Sequence, residues 1–183
     1  QIGLKAPELS VTAFDGTHMD LYDVPSGRYS VLYFYETDCI RCRIETRRLS
    51  EVLADEGYPI EFYAFYVGDD REQWQEYIQE NFKFADQPVI HLWDPELDSD
   101  FQRKYGVLQT PRMFLVGPDG TILGRGLDTQ ALKQMLETIF AERTLEYGSS
   151  ESEELLDELL GEAPSRNEIM EIARLFQNAT LDK

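Results

Sequence analysis

The stretch Tyr29-Ser30-Val31-Leu32-Tyr33-Phe34-Tyr35-Glu36-Thr37-Asp38-Cys39-Ile40-Arg41-Cys42 decides how the rest of the chain is read. Its first seven residues form a nearly continuous apolar, aromatic and β-branched run, the pattern of a strand covered on both faces. Two cysteines follow directly, with two residues between them. Beyond them Leu49, Val52 and Leu53 keep helical spacing and Gly57 is a stop. The thiols therefore sit where a buried strand hands over to a helix. Backbone N–H groups at a helix start, with the macrodipole behind them, favour a thiolate over a thiol. Cys39, at the exposed edge, reads as the attacking sulfur. Cys42, about one turn further on, reads as the thiol that resolves a mixed disulfide.

The cysteine count supports a redox reading. The chain has only these two among 183 residues, and a loop this short constrains little of an unfolded chain. A zinc site needs about four ligands, and His18 and His91 lack ligand spacing, so no metal is expected. No cofactor is expected either, because two sulfurs carry two electrons between them. The formal charge of -18 argues against nucleic acid as a partner and against anionic membrane surfaces. No apolar run approaches the roughly 20 residues that cross a bilayer. The chain begins with Gln1, and a trimmed or cleaved start is expected.

On either side of the decisive stretch the pattern alternates strands and helices. Leu9–Phe14 and Thr17–Leu21 flank the Asp15-Gly16 turn as a hairpin. Ile60–Val67 is another aromatic strand. Asp69 or Asp70 opens a helix with the stripe Trp74, Tyr77, Ile78 and Phe82, and Val89–Trp93 is a short strand. Leu97, Phe101 and Tyr105 recur every fourth residue, as on one helix face. Met113–Val116 and Thr121–Leu123 flank Pro118-Asp119-Gly120, and Leu132, Met135, Leu136, Ile139 and Phe140 mark a helix opened by Asp128. This order predicts an α/β domain over residues 1–144, a mixed central sheet flanked by helices, with an N-terminal β-hairpin. Residues 145–183 differ, with 10 acids against 3 bases. Two capping boxes there, Ser150-x-x-Glu153 and Ser165-x-x-Glu168, predict an acidic helical hairpin. It either packs on its own molecule or offers a helix-mediated contact to a partner.

Four motifs carry a family resemblance across residues 4–143: Ala6-Pro7-Glu8-Leu9 with the Asp15-Gly16 hairpin, Cys39-Ile40-Arg41-Cys42, Tyr105-Gly106-Val107 leading to Thr110-Pro111, and Phe114–Val116 with Pro118-Asp119-Gly120-Thr121. In these the chain resembles the thioredoxin-like superfamily, specifically extracytoplasmic thiol-disulfide oxidoreductases of the TlpA and ResA type. The resemblance implies a disulfide reductase more than an oxidase, acting on protein thiol and disulfide substrates with an upstream redox partner. It also implies an extracytoplasmic, bacterial setting. By the same resemblance Thr110–Pro111 is a cis bond beside Cys39, where its loop offers backbone groups to an extended substrate peptide. Glu45, three residues after Cys42, matches a glutamate implicated in proton handling at the resolving cysteine, against the plain reading of a solvated helix charge. Asp38, Ile40 and Arg41 are the tuning positions. Asp38 stands where the family has tryptophan and Arg41 where it has proline. The negative neighbour opposes charge on Cys39, whereas Arg41 and Arg43 support it. The inward acid that thioredoxin carries on this strand has no counterpart. Two other functions compete: a redox-inert binding module on the same fold, and a peroxiredoxin-like peroxidase, for which Thr37 is present and the preceding proline is not.

Overall fold

The computed structural model describes residues 2–55, 57–146, 170–171 and 173–175. Over the described residues between 2 and 146, seven strands and four helices follow in the order β1 (Leu9–Ala13), β2 (His18–Leu21), β3 (Tyr29–Tyr35), α1 (Ile40–Asp55), β4 (Ile60–Tyr66), α2 (Arg71–Asn81), β5 (Val89–Trp93), α3 (Phe101–Tyr105), β6 (Arg112–Val116), β7 (Ile122–Arg125) and α4 (Thr129–Glu146). They build one mixed sheet in the order β2-β1-β5-β4-β3-β6-β7. β3, β4 and β5 run parallel, and β6 and β7 continue antiparallel beside β3. The hairpin β1–β2 joins at the other side, where Thr12 and Ala13 pair with Trp93 and Leu92.

β3 lies near the centre of the sheet, which is why its sequence is apolar at nearly every position. Val31, Tyr33 and Tyr35 face one layer, packed with Leu49 and Leu53 of α1, Trp74 and Tyr77 of α2, and Leu132, Leu136 and Phe140 of α4. Leu32 and Phe34 face the opposite layer, with Phe101 and Tyr105 of α3, Phe65, Phe114 and the hairpin residues Leu9, Val11 and Leu21. Each such side chain, fully buried, is worth about 1.5–3 kcal/mol. Because β3 and α1 are both fixed by this burial, the turn between them has little freedom. That turn carries the cysteines.

The helix cap at Asp70 forms as the sequence indicates, its side chain accepting from the Gln73 N–H at 3.1 Å. Asp128 likewise accepts from the Ala131 N–H at 2.8 Å in the first turn of α4. The periodic trio Leu97, Phe101 and Tyr105 needs correction. Helix α3 holds only the last two, while Leu97 is exposed with φ of 60°. Asp94 is the cause: its carboxylate accepts the N–H groups of Asp98 and Ser99, at 3.1 and 2.8 Å, and folds this segment into a turn. Gly106 then caps α3 in the left-handed conformation at φ 62°, a place suited to glycine, and sends the chain toward Thr110–Pro111. The acidic helical hairpin expected over residues 145–183 lies outside the described residues, apart from 145–146, which end the last helix, and 170–171 and 173–175. Among the described residues no helix is long and apolar enough to cross a membrane. Nor, among them, do three or more His, Cys, Asp or Glu side chains gather as a metal site would require.

Candidate active site

Cys39 is the residue just before α1, at the position of its N-cap. Its Sγ accepts the N–H of Cys42 at 3.1 Å, and its carbonyl accepts the N–H of Arg43. A sulfur thus does what a serine or aspartate oxygen does at an ordinary helix start. Negative charge on that sulfur is stabilised by the donated N–H and by the helix dipole together. Both cysteines are free thiols. Cys39 is partly exposed, and Cys42 is 0% exposed.

From the neighbouring strand, where Arg112 at the start of β6 pairs with Phe34 of β3, the Thr110–Pro111 loop meets this pair. The peptide bond between Thr110 and Pro111 is cis. The Thr110 carbonyl accepts from the Cys39 Sγ–H at 3.8 Å, across 71 positions of sequence. The Thr110 side chain reaches the other sulfur. Burial pushes the Cys42 thiol up to about 12, and Cys39 adds to that rise, while the Glu36 backbone N–H and the Thr110 hydroxyl pull in the opposite direction. The two thiols are therefore unlike: one at the surface with a helix N-terminus behind it, one sealed and held protonated.

Beneath Cys42 lies a feature the sequence reading did not single out. Tyr33 of β3 donates from its hydroxyl to the Cys42 carbonyl at 3.1 Å, and Thr46 of α1 does so at 2.8 Å. Thr46 Oγ1 also lies 2.9 Å from the Tyr33 hydroxyl and 2.8 Å from that of Tyr77 on α2. Desolvation raises both phenols well above the ordinary tyrosine range, so they stay neutral donors. Tyr33 occupies the inward-facing place on the strand before the motif, where the sequence shows no acid. A hydroxyl network stands there instead. Its signal was present in the strict alternation of Val31, Tyr33 and Tyr35, which puts Tyr33 on the face of α1.

The half-buried Glu45 bonds across to α4. Its carboxylate accepts both the backbone N–H of Thr129, at 2.9 Å, and the Thr129 hydroxyl. It thereby ties α1 to the first turn of α4. Of the tuning residues, Asp38, Ile40 and Arg41 are all exposed around Cys39. Thr37 donates its hydroxyl to Gln73 Oε1 at 3.3 Å. Glu36 is half-buried, and desolvation, with Asp38 and Asp69 nearby, raises its carboxyl.

The AhpC/TSA family profile matches residues 2–124. The chain belongs to the AhpC/TSA family. A search of curated proteins returns no match. Among solved structures, a domain described as a possible thiol-disulfide isomerase from Cytophaga hutchinsonii is 26% identical, with a TM-score of 0.63 over 80% of this chain and 96% of that one. The thioredoxin domain of a Bacteroides vulgatus thiol-disulfide oxidoreductase is 23% identical, TM-score 0.63, over 75% and 96%. A secreted Mycobacterium tuberculosis disulfide oxidoreductase homologous to Escherichia coli DsbE is 19% identical, TM-score 0.57, over 70% and 94%. With these the fold is identified as thioredoxin-like, the AhpC/TSA chain sharing its α/β architecture.

Proposed function

We propose that this AhpC/TSA family member is a thiol-disulfide oxidoreductase that exchanges electrons between the Cys39–Cys42 pair and polypeptide cysteines. The observation that carries this reading is the asymmetry of the two thiols at one helix start: Cys39 Sγ on the Cys42 N–H, Cys42 sealed behind it. The Cys39 thiolate attacks a substrate disulfide, forming a mixed disulfide and releasing one substrate sulfur as a thiolate. That departing thiolate, the basic group generated nearby, takes the proton of Cys42 as the Cys42 sulfur attacks Cys39. The second substrate sulfur then leaves and is protonated by solvent. The substrate has gained two electrons and two protons, and the protein holds a Cys39–Cys42 disulfide. An upstream reductant restores the dithiol.

Thr110 and Pro111 line the approach, their backbone at the edge of the exposed sulfur, suited to an extended substrate. We assign Glu45 the anchoring of α4, on the strength of its two bonds to Thr129, and give it no proton-transfer step. The reading takes residues 1–144 as the reactive domain and 145–183 as an acidic extension. An extracytoplasmic setting is part of it, in keeping with the secreted Mycobacterium tuberculosis protein of similar fold, and the reductase direction is carried over from the sequence resemblance alone. Insulin reduction by dithiothreitol tests it: the wild type is expected to accelerate precipitation of the insulin B chain and Cys39→Ala to lose that acceleration. Equal silence of both proteins across several reductants would leave the redox-inert module standing.

The family match gives a second reading, peroxide reduction at Cys39, a specific test. Rapid hydrogen peroxide consumption with a sulfenic acid on Cys39 supports it, and slow consumption removes it.

A further inference from the structure

The outward face of α1 is unusual for a surface helix. Ile40 and Ile44, one turn apart and hence on one side, are 67% and 47% exposed. Arg41 and Arg48 run along one flank of this ridge, and Arg43 and Arg47 along the other. All four are exposed. Arg47 donates from Nε to Asn81 Oδ1 at 3.0 Å, but among the described residues Arg41, Arg43 and Arg48 make no ion pair. Four of the chain's 17 basic residues thus fall within eight positions of a protein with net charge -18. The face begins at Cys39 itself. The loop that leads to Thr110 and Pro111, whose Thr110 carbonyl meets the Cys39 sulfur, carries Leu108, 91% exposed.

Single exposed aliphatics are ordinary. An isoleucine pair flanked by four arginines, three of them without an ion pair among the described residues, and continuous with a reactive sulfur is a different matter, because a polypeptide seated at Cys39 has this face beside it. Carboxylates gather where the turn before α1 meets α2: Asp38 before α1, and Asp69 and Asp70 before α2, all exposed, with Asp38 and Asp69 both close to Glu36. Glu51 is the exposed acid further along α1. The rim is therefore polar in the electrical sense, cationic over α1 and anionic over the β4–α2 connection.

We propose that the Ile40–Ile44 ridge and its arginines dock the segment flanking the target cysteine of the partner polypeptide, and select segments that carry an apolar residue beside carboxylates. The proposal rests on Cys39 as the attacking sulfur. Bidentate arginine–carboxylate bonds supply the selection, and the isoleucines supply a dry seat that strengthens them. The occupant is a redox-partner polypeptide because the seat opens onto the sulfur that must meet it.

The test uses the full chain and two peptides, each a single-cysteine peptide presented as its symmetrical disulfide. They are identical except for two Glu or two Lys beside a Leu next to the cysteine. Each rate is divided by that for hydroxyethyl disulfide, which is small and uncharged. The wild type is expected to prefer the Glu peptide by at least about fivefold. The double variant Arg41→Glu/Arg48→Glu is expected to reverse the order, and the milder Arg41→Gln/Arg48→Gln to bring the ratio near one. Equal rates in the wild type, or a preference that survives both double variants, would overturn the proposal while the dithiol chemistry stands. So would a change of oligomeric state in the Gln variant on sedimentation, which would make a second copy the occupant. No turnover of any of the three disulfides would remove the dithiol chemistry itself, and this inference with it.

Discussion

Cys42 sits behind Cys39 with no exposed surface, and its thiol is pushed up to about 12 by burial above all. An unfolded cysteine titrates near 8.5. Below about 8.5 both states keep the proton and Cys42 adds no pH dependence. Above it the unfolded chain loses the proton while the folded one retains it, so stability of the reduced protein falls as pH rises toward 12. Between about pH 8.5 and 10 the buried tyrosines are silent, since theirs is a still higher range. Thermal unfolding of the reduced protein across that window is expected to show a falling Tm, and Cys42→Ser a flatter one. A slope unchanged by the substitution would mean that Cys42 is not the group responsible.

The connection of α1 to its surroundings rests on side chains that converge from three elements. Thr46 stands at the hub, touching the Cys42 carbonyl, Tyr33 on β3 and Tyr77 on α2. Thr46→Val keeps the shape and removes the hydroxyl, leaving the buried Tyr77 phenol short of its partner and Tyr33 with the Cys42 carbonyl alone. The expected cost is about 1–3 kcal/mol in urea unfolding, with the denaturant slope unchanged. Tyr33→Phe should cost less, about 1 kcal/mol, and the double variant should cost less than the sum of the two. Additive losses would show that the hydroxyls act separately.

How much of this was legible in the chain follows from which contacts are local. β3, the two cysteines and the start of α1 could be read directly, because a buried strand and a helix turn write their periods into adjacent residues. Thr110 and Pro111 were found through a motif resemblance, since nothing in their own spacing brings them to Cys39 from 71 residues away. The hydroxyl trio went unread, because Thr46 and Tyr77 are 31 positions apart and each looks alone like an ordinary helix residue. Glu45 was read from its own helix, where its spacing from Cys42 suggested a partner. Its bonds are with Thr129, 84 positions on, at the start of α4. Leu97 shows a local period with no helix beneath it, undone by the Asp94 side chain.

For the molecule as a whole, stability on the acid side should depend on His91. It lies on β5 among Phe82, Phe84 and Val89, its ring edge-on to Phe82 at 4.9 Å, and burial lowers it to about 4. Unfolded histidine titrates near 6.5, so the stability gained by keeping His91 neutral is complete above that pH. It is lost as pH falls from about 6.5 to 4, where the unfolded chain takes the proton first. The loss at the lower end is roughly 3 kcal/mol. Replacement by Phe, which keeps the ring, should flatten urea unfolding midpoints over that interval. The exposed Asp15, Asp20 and Asp119, all held below the usual carboxylate range, contribute only at lower pH. A midpoint that still falls steeply between pH 6.5 and 4 in His91→Phe would place the sensitivity elsewhere.

The whole arrangement, two packed layers fixing one strand-to-helix junction against one loop, has a purpose only if the two sulfurs divide the work. Peptide-resolved mass spectrometry after brief exposure to a disulfide-linked peptide reports that division. Cys42→Ser should accumulate a single mixed disulfide on Cys39, while the wild type passes through it to an internal Cys39–Cys42 disulfide. Cys39→Ser should stay unmodified at the sealed Cys42. An adduct forming as fast on Cys42 in Cys39→Ser, or none on Cys39 in Cys42→Ser, would contradict the assignment of attack to the surface sulfur.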